Sequence, residues 1–133
     1  MTLQYSVAVR NARLDAVETT IGTSAIMKIR SGTVPATCAT ADAGTVLATL
    51  NLPSNWMADA ASGAKALLGT WQDASADATG TAAHFRIYAT DGTTCGAQGT
   101  VGTSAADLIV DNTSFNAGQS FTVTAFSLTG GNP

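Results

Sequence analysis

The stretch from Ala83 to Thr90 limits this chain more than any other. Ala83, Phe85, Ile87 and Ala89 alternate with His84, Arg86, Tyr88 and Thr90. An apolar residue at every second position marks a strand with one face in a core and one wetter face. Asp91-Gly92 follows at once. That pair tolerates the positive φ angles that tight hairpin turns demand. The chain is thereby committed to a hairpin, with a return strand near Ala97 to Val101. The return strand is rich in glycine and weak alone, which predicts another strand on its far side. Ala83, Phe85 and Ile87 are expected to face the core, and His84 to lie on the wetter face as a surface or interface residue.

One good helix precedes this hairpin. Leu3, Val7, Leu14, Val17 and Ile21 fall on one stripe, with Arg10 and Asn11 at the intervening turn. Ser6 is a candidate N-cap, so that Leu3 to Tyr5 lead in as an extended arm. Gly22 sits where a glycine in the left-handed conformation ends a helix. The apolar stripe can cap its own domain or reach a neighbouring subunit, and deletion of residues 1–21 separates the two.

Ala25 to Ser31 reads as a first strand. Residues 32–44 read as a loop containing Gly32, Pro35, Asp42 and Gly44. Thr45 to Leu52 is nearly all apolar, which predicts a central strand covered on both faces, stopped by Pro53. Further strands are expected at Lys65 to Trp71, Leu108 to Asn112 and Ser120 to Thr129. In the last, the alternation changes phase near Ala125 and Phe126; a β-bulge or burial on both faces would do that. Trp56 and Met57 are either a core plug under a loop or, for Trp56, an interface anchor. The expected fold is a mainly β, jelly-roll-like β-sandwich of about seven short strands with one N-terminal α-helix. All 133 residues form a single domain, with arm and helix in 1–22 and sandwich in 25–133.

Charged residues make up 11% of the chain, against about a quarter in ordinary domains. The formal net charge of −3 gives no basic patch for nucleic acid. Arg10, Arg13, Lys28 and Arg30 are expected in salt bridges or interface rims. A surface so poor in charge suits packing against other subunits. No apolar run is long enough for a membrane helix. The N-terminal residues lack a basic region followed by an apolar stretch, which predicts folding in the cytoplasm. In that reducing setting Cys38 and Cys95 are expected as partly buried thiols. The alternative is a disulfide, worth about 3–4 kcal/mol.

No catalytic constellation accompanies the single histidine: there is no nucleophile elbow, phosphate loop or paired metal-binding histidine. Asp73 and Asp77 share a loop, and Asp42, Asp107 and Asp111 can join them at a cation only if folding brings them together. No catalytic residue, cofactor or metal is therefore expected.

Four segments carry a resemblance: Arg-Asn-Ala-Arg-Leu-Asp-Ala-Val-Glu-Thr-Thr-Ile-Gly (10–22), Leu-Ala-Thr-Leu-Asn-Leu-Pro (47–53), Gly-Thr-Trp-Gln-Asp-Ala-Ser-Ala-Asp-Ala-Thr-Gly-Thr-Ala-Ala-His-Phe-Arg-Ile-Tyr (69–88) and Val-Asp-Asn-Thr (110–113). The chain resembles, over most of its length, a family of small proteins encoded among the virion structural genes of tailed bacteriophages and prophages. The resemblance implies a particle component assembled in the bacterial host cytoplasm. Its partners would be other copies of itself and the phage major capsid protein or tail proteins, with no nucleic acid or membrane partner. A head decoration (cement) protein is the first expectation; a tail, collar or adaptor component is the second. A carbohydrate- or receptor-binding module is the third, because Trp56, Trp71 and Tyr88 could stack on sugars. The expected interface residues are Leu3, Val7, Arg10, Trp56, Trp71 and Tyr88.

Overall fold

A computed structural model describes residues 2–132. Helix α1 spans Val7–Ile21, capped as expected: the Ser6 hydroxyl accepts the Val9 N–H at 3.2 Å. Gly22 ends it and donates to the Glu18 carbonyl, but at φ 101° and ψ 175°. That is not the left-handed helical conformation, although it is equally reserved for glycine.

Ten strands follow: β1 (Ile26–Arg30), β2 (Val46–Asn51), β3 (Ala64–Ala66), β4 (Gln72–Asp73), β5 (Gly80–Thr81), β6 (His84–Tyr88), β7 (Cys95–Gly102), β8 (Leu108–Val110), β9 (Ser114–Phe115) and β10 (Phe121–Thr129). The main sheet runs β2-β1-β6-β7-β8-β10-β3, the seven strands read from sequence; β4 adds to β10, and β5 pairs β9. The sheet curls on itself into a β-sandwich-like body, so that β6 and β10 meet across one core. There Phe85 stands edge-on to Phe126 with ring centroids 5.7 Å apart, and Trp71 bridges Phe126 and Trp56. Met27, Ile29, Leu47, Leu50, Ile87 and Leu108 complete the packing.

The hairpin forms as the alternation and Asp91-Gly92 require. Gly92 has φ 71°. The Asp91 carboxylate accepts the N–H groups of Thr93 and Thr94 and the Thr94 hydroxyl, which lowers its pKa to about 2. The glycine-rich return strand has its far-side neighbour in β8, joined in parallel through Val101↔Leu108 and Gly102↔Ile109. The phase change in β10 is a register shift between Val123 and Ala125.

Three expectations are corrected. Strand β2 lies at the sheet edge, not its centre. Leu47, Ala48 and Leu50 are nevertheless buried, and the β4 loop runs along the open edge. The Asp73 carboxylate accepts the Thr49 N–H at 3.0 Å, the Asp77 N–H reaches the Leu47 carbonyl at 2.7 Å, and the Asp77 carboxylate takes the Thr49 hydroxyl. Two acidic residues considered as cation ligands thus shield an edge that would otherwise be open to strand pairing. Strand β3 is shorter than read: the Leu67 N–H still reaches the Phe126 carbonyl of β10, but the Leu68 N–H turns away to the Trp56 carbonyl. Of the three predicted core residues in the central strand, Phe85 and Ile87 are buried, whereas Ala83, just before β6, is only half-buried.

Helix α1 belongs to this body. Leu14 and Ile21 are buried, and Ile21 lies so close to Gly96 of β7 that a Cβ there would overlap it. The polar side of the helix faces the segment before β3. Asn11, Asp15 and Glu18 accept the backbone N–H groups of Gly63, Ala60 and Met57 at 2.8–2.9 Å. Asp15 and Glu18 also hold the Lys65 ammonium, at 2.8 and 3.1 Å, although Lys65 is 2% exposed. Burial disfavours that charge, but the two carboxylates outweigh it and raise the Lys65 pKa. The end of the chain returns to the helix start: the Tyr5 N–H donates to Asn132 Oδ1 at 2.6 Å, and Arg10 donates to the Gly130 carbonyl at 3.4 Å.

Candidate functional site

The face of β6 expected to be wet is buried. His84, Arg86 and Tyr88 are at most 2% exposed. Register sets Arg30 beside His84, and Lys28 beside Arg86, across the β1–β6 pair; Gln98 flanks Arg86 from β7. Alternation thus raises a row of polar side chains on the sheet's outer face, and the 32–44 loop closes over it as a strap.

Asp42 is the centre of the strap's attachment. One carboxylate oxygen accepts from Arg86 Nη1 at 2.8 Å and from the Tyr88 hydroxyl at 2.7 Å; the other accepts from Arg30 Nη2 at 3.0 Å. Arg86 Nη2 also donates to the Thr37 and Thr40 carbonyls at 3.0 and 2.9 Å, and its Nε to Gln98 Oε1 at 3.0 Å. Gln98 Nε2 in turn donates to the Pro35 carbonyl at 2.6 Å. Two guanidinium groups share one carboxylate, and main-chain carbonyls of the strap accept from Arg86 Nη2 and Arg30 Nη1, while Arg30 Nε is buried without a partner. The Lys28 ammonium lies 5.0 Å from the Tyr88 ring centroid and donates to the Gly92 carbonyl at 3.0 Å.

Burial pushes the Asp42 carboxyl up, but the Tyr88 and Arg86 hydrogen bonds and the charges of Arg30 and Arg86 outweigh it, leaving the pKa below the usual 3.8. A depressed carboxylate contributes stability above its unfolded pKa and loses it as pH falls through the folded value. The strap should therefore hold at neutral pH and loosen only in acid below 3.8. Asp42→Asn should reproduce the loss at pH 7. It leaves two buried guanidinium groups without a counter-charge, at a cost of about 2–3 kcal/mol, below the range for fully buried pairs because Asp42 faces solvent on one side. Urea titration of the variant at pH 7 and pH 3 checks this: the gap from wild type should shrink at the lower pH.

Cys38 of the strap and Cys95 of β7 form a disulfide, with Cα atoms 5.4 Å apart, in place of the two thiols expected. His84 is also corrected. It is fully buried, and its Nδ1 is 2.8 Å from the Gly32 carbonyl. A carbonyl only accepts, so Nδ1 carries the proton, and Nε2 is buried without a partner.

Of the expected interface residues, Trp56, Trp71 and Tyr88 are at most 1% exposed and serve the interior. Trp56 Nε1 donates to the Gly22 carbonyl and Trp71 Nε1 to the Trp56 carbonyl. These rings are closed to a sugar or a partner subunit, which removes the stacking platform that a carbohydrate-binding module would need. Arg10 is half-buried against Gly130. Leu3 and Val7 remain outside, 62% and 46% exposed. The structure therefore brings together Arg30, Asp42, Arg86 and Tyr88: Tyr88 was expected at an interface, Arg30 in a salt bridge or rim contact, and Asp42 only as an acid that folding could bring to a cation, while Arg86 was assigned no role. The available signal was two arginines and a tyrosine at alternating strand positions in a chain with six basic residues.

The distribution of charge sets the character of the surface. Six basic and nine acidic side chains are present. Among the described residues, all but Asp59 and Asp111 have an intramolecular hydrogen bond, ion pair or cation–π contact. Small neutral residues occupy much of the outward surface: Ala12, Ala16 and Thr20 on α1, and Ala36, Ala39 and Ala41 on the strap, are exposed, beside exposed Arg13 and the carboxylates of Asp59, Asp77, Asp91, Asp107 and Asp111. No helix among the described residues is long and apolar enough to cross a membrane. No family model, curated protein or solved structure matches the chain.

Proposed function

We propose that this chain is a structural protein of a tailed-bacteriophage particle, and within the particle a decoration protein seated on the head shell. The resemblance of residues 10–22, 47–53, 69–88 and 110–113 to virion structural proteins supports the class. The observation that carries the reading is the commitment of nearly all charge to internal contacts. A freely diffusing domain keeps uncommitted charge outward for solubility. A subunit that packs among others benefits from faces with few free charges to desolvate, such as the Ala/Thr side of α1 and the alanines of the strap, since interface cores are depleted in charged groups. Many modest contacts, multiplied by the symmetry of a shell, would then give tight retention. Leu3 and Val7, on the arm and first helical turn, supply the exposed apolar contacts. The proposal contains no catalytic step.

The test is the copy number in purified particles, measured by quantitative mass spectrometry against the major capsid protein. A copy number tracking the shell lattice is the expected result. A number matching the single tail would move the chain to a tail, collar or adaptor position. Absence from the particle would remove the virion reading altogether. In parallel, the purified chain added to heads that lack it should raise the melting temperature of the shell.

A further inference from the structure

The strap is held to the sheet in two ways, one polar and one covalent, and the polar attachment brackets the covalent one. Arg86 Nη2 grips the Thr37 and Thr40 carbonyls, one on each side of Cys38. Gln98 holds Pro35, and Arg30 holds Asp42 and the Gly44 carbonyl. Cys95 is fixed separately, in β7 opposite Tyr88. With the sulfur–sulfur bond open, every one of these strap contacts can still be made, and they would leave the two cysteine side chains facing each other.

We propose that the Cys38–Cys95 disulfide is a late, reversible lock on a strap already docked by the polar face of the sheet, with Arg86 as the positioning residue for Cys38. The reduced chain keeps the fold and the strap, and oxidation then fastens the strap covalently. Closure removes two protons and two electrons from the two thiols. With glutathione disulfide as oxidant, one protein thiolate attacks it and expels a glutathione thiolate. The second protein thiolate then displaces the other glutathione, so one disulfide is reduced for each one formed. The lock would therefore be open where glutathione is kept reduced and closed once the protein reaches an oxidising medium. The inference holds whatever the chain assembles with.

The experiment measures the thiol–disulfide equilibrium with glutathione, in buffer and in denaturing urea. The cysteines are 57 residues apart; loop-closure arithmetic then puts the native constant about a thousandfold above the unfolded one. Arg86→Lys cannot span both carbonyls and Asp42, and should lower the native constant about tenfold or more while leaving the urea value unchanged. Ile87→Val, on the opposite face of β6, costs general stability without touching the strap and should leave both constants unchanged. The double variant Cys38→Ala/Cys95→Ala should remain folded, with the Thr40 N–H, bonded to the Thr37 carbonyl at 3.0 Å, still protected from hydrogen exchange. Loss of that protection, or loss of the fold, would overturn the proposal. So would an Arg86→Lys constant equal to wild type, or an Ile87→Val constant that falls as far. Should Arg86→Lys fail to fold, Gln98→Ala replaces it: a severalfold drop is expected, and no drop counts against the proposal.

Discussion

Deletion of residues 1–21 is expected to leave a chain that does not fold. The loss goes well beyond the buried apolar side of the helix, Leu14 and Ile21. It takes both carboxylates from Lys65 and opens its ammonium, left with only the Ala58 carbonyl at 2.9 Å, to water. It exposes the apolar surface that Leu14 and Ile21 cover, at about 25 cal/mol per Å². It also orphans the N–H groups of Met57, Ala60 and Gly63, at about 1–3 kcal/mol each where they stay buried. Together these losses are comparable with the lower part of the range of about 5–15 kcal/mol typical of a domain's total stability. Far-ultraviolet circular dichroism and dispersion in an amide NMR spectrum would report an unfolded chain. A truncated protein with an intact β signal would instead return the helix to the role of an assembly arm.

Phe85→Ala is expected to cost about 3–5 kcal/mol. Phe85 is 2% exposed, stands edge-on to Phe126 and lies against Gly99 of β7. Its neighbours are strands and rings fixed from both halves of the curled sheet, so the site has little freedom to collapse onto the space left behind. In a chain of this length the thermal midpoint should fall by about ten degrees or more. A shift of only a degree or two would show that Phe85 is not central to the packing.

The sequence was legible where a local rule decided the outcome. Ser6 capped the helix because a hydroxyl there meets an orphan N–H whatever else the chain does. Asp91-Gly92 turned the hairpin because Gly92 takes the positive φ and the Asp91 carboxylate holds the N–H groups of Thr93 and Thr94. The bulge in β10 showed as a broken alternation between Val123 and Phe126. What was not legible depended on what covered what. Alternation in β6 assigns His84, Arg86 and Tyr88 to one face, but does not say whether water or the 32–44 loop lies over it. A charge-poor loop with one aspartate gives no local sign that the carboxylate will be shared by two arginines from different strands. Likewise, Lys65 reads as an exposed residue until helix α1 brings Asp15 and Glu18 against it from far along the chain. The apolar run in β2 signals burial on both faces, and burial was found. A central strand and an edge shielded by Asp73 and Asp77 give the same signal.

The bond from the Tyr5 N–H to Asn132 places the two chain ends side by side. A linker of a few residues would join them, and the chain could be reopened at the exposed turn of Asn116, Ala117 and Gly118, giving a circular permutant with every strand pairing retained. The same adjacency means that a peptide fused to either end leaves the molecule at one place, next to the exposed Leu3 and Val7. Permutation would move the fusion point to the β9–β10 turn, away from that patch, so a displayed peptide could be carried without crowding the first turn of the helix.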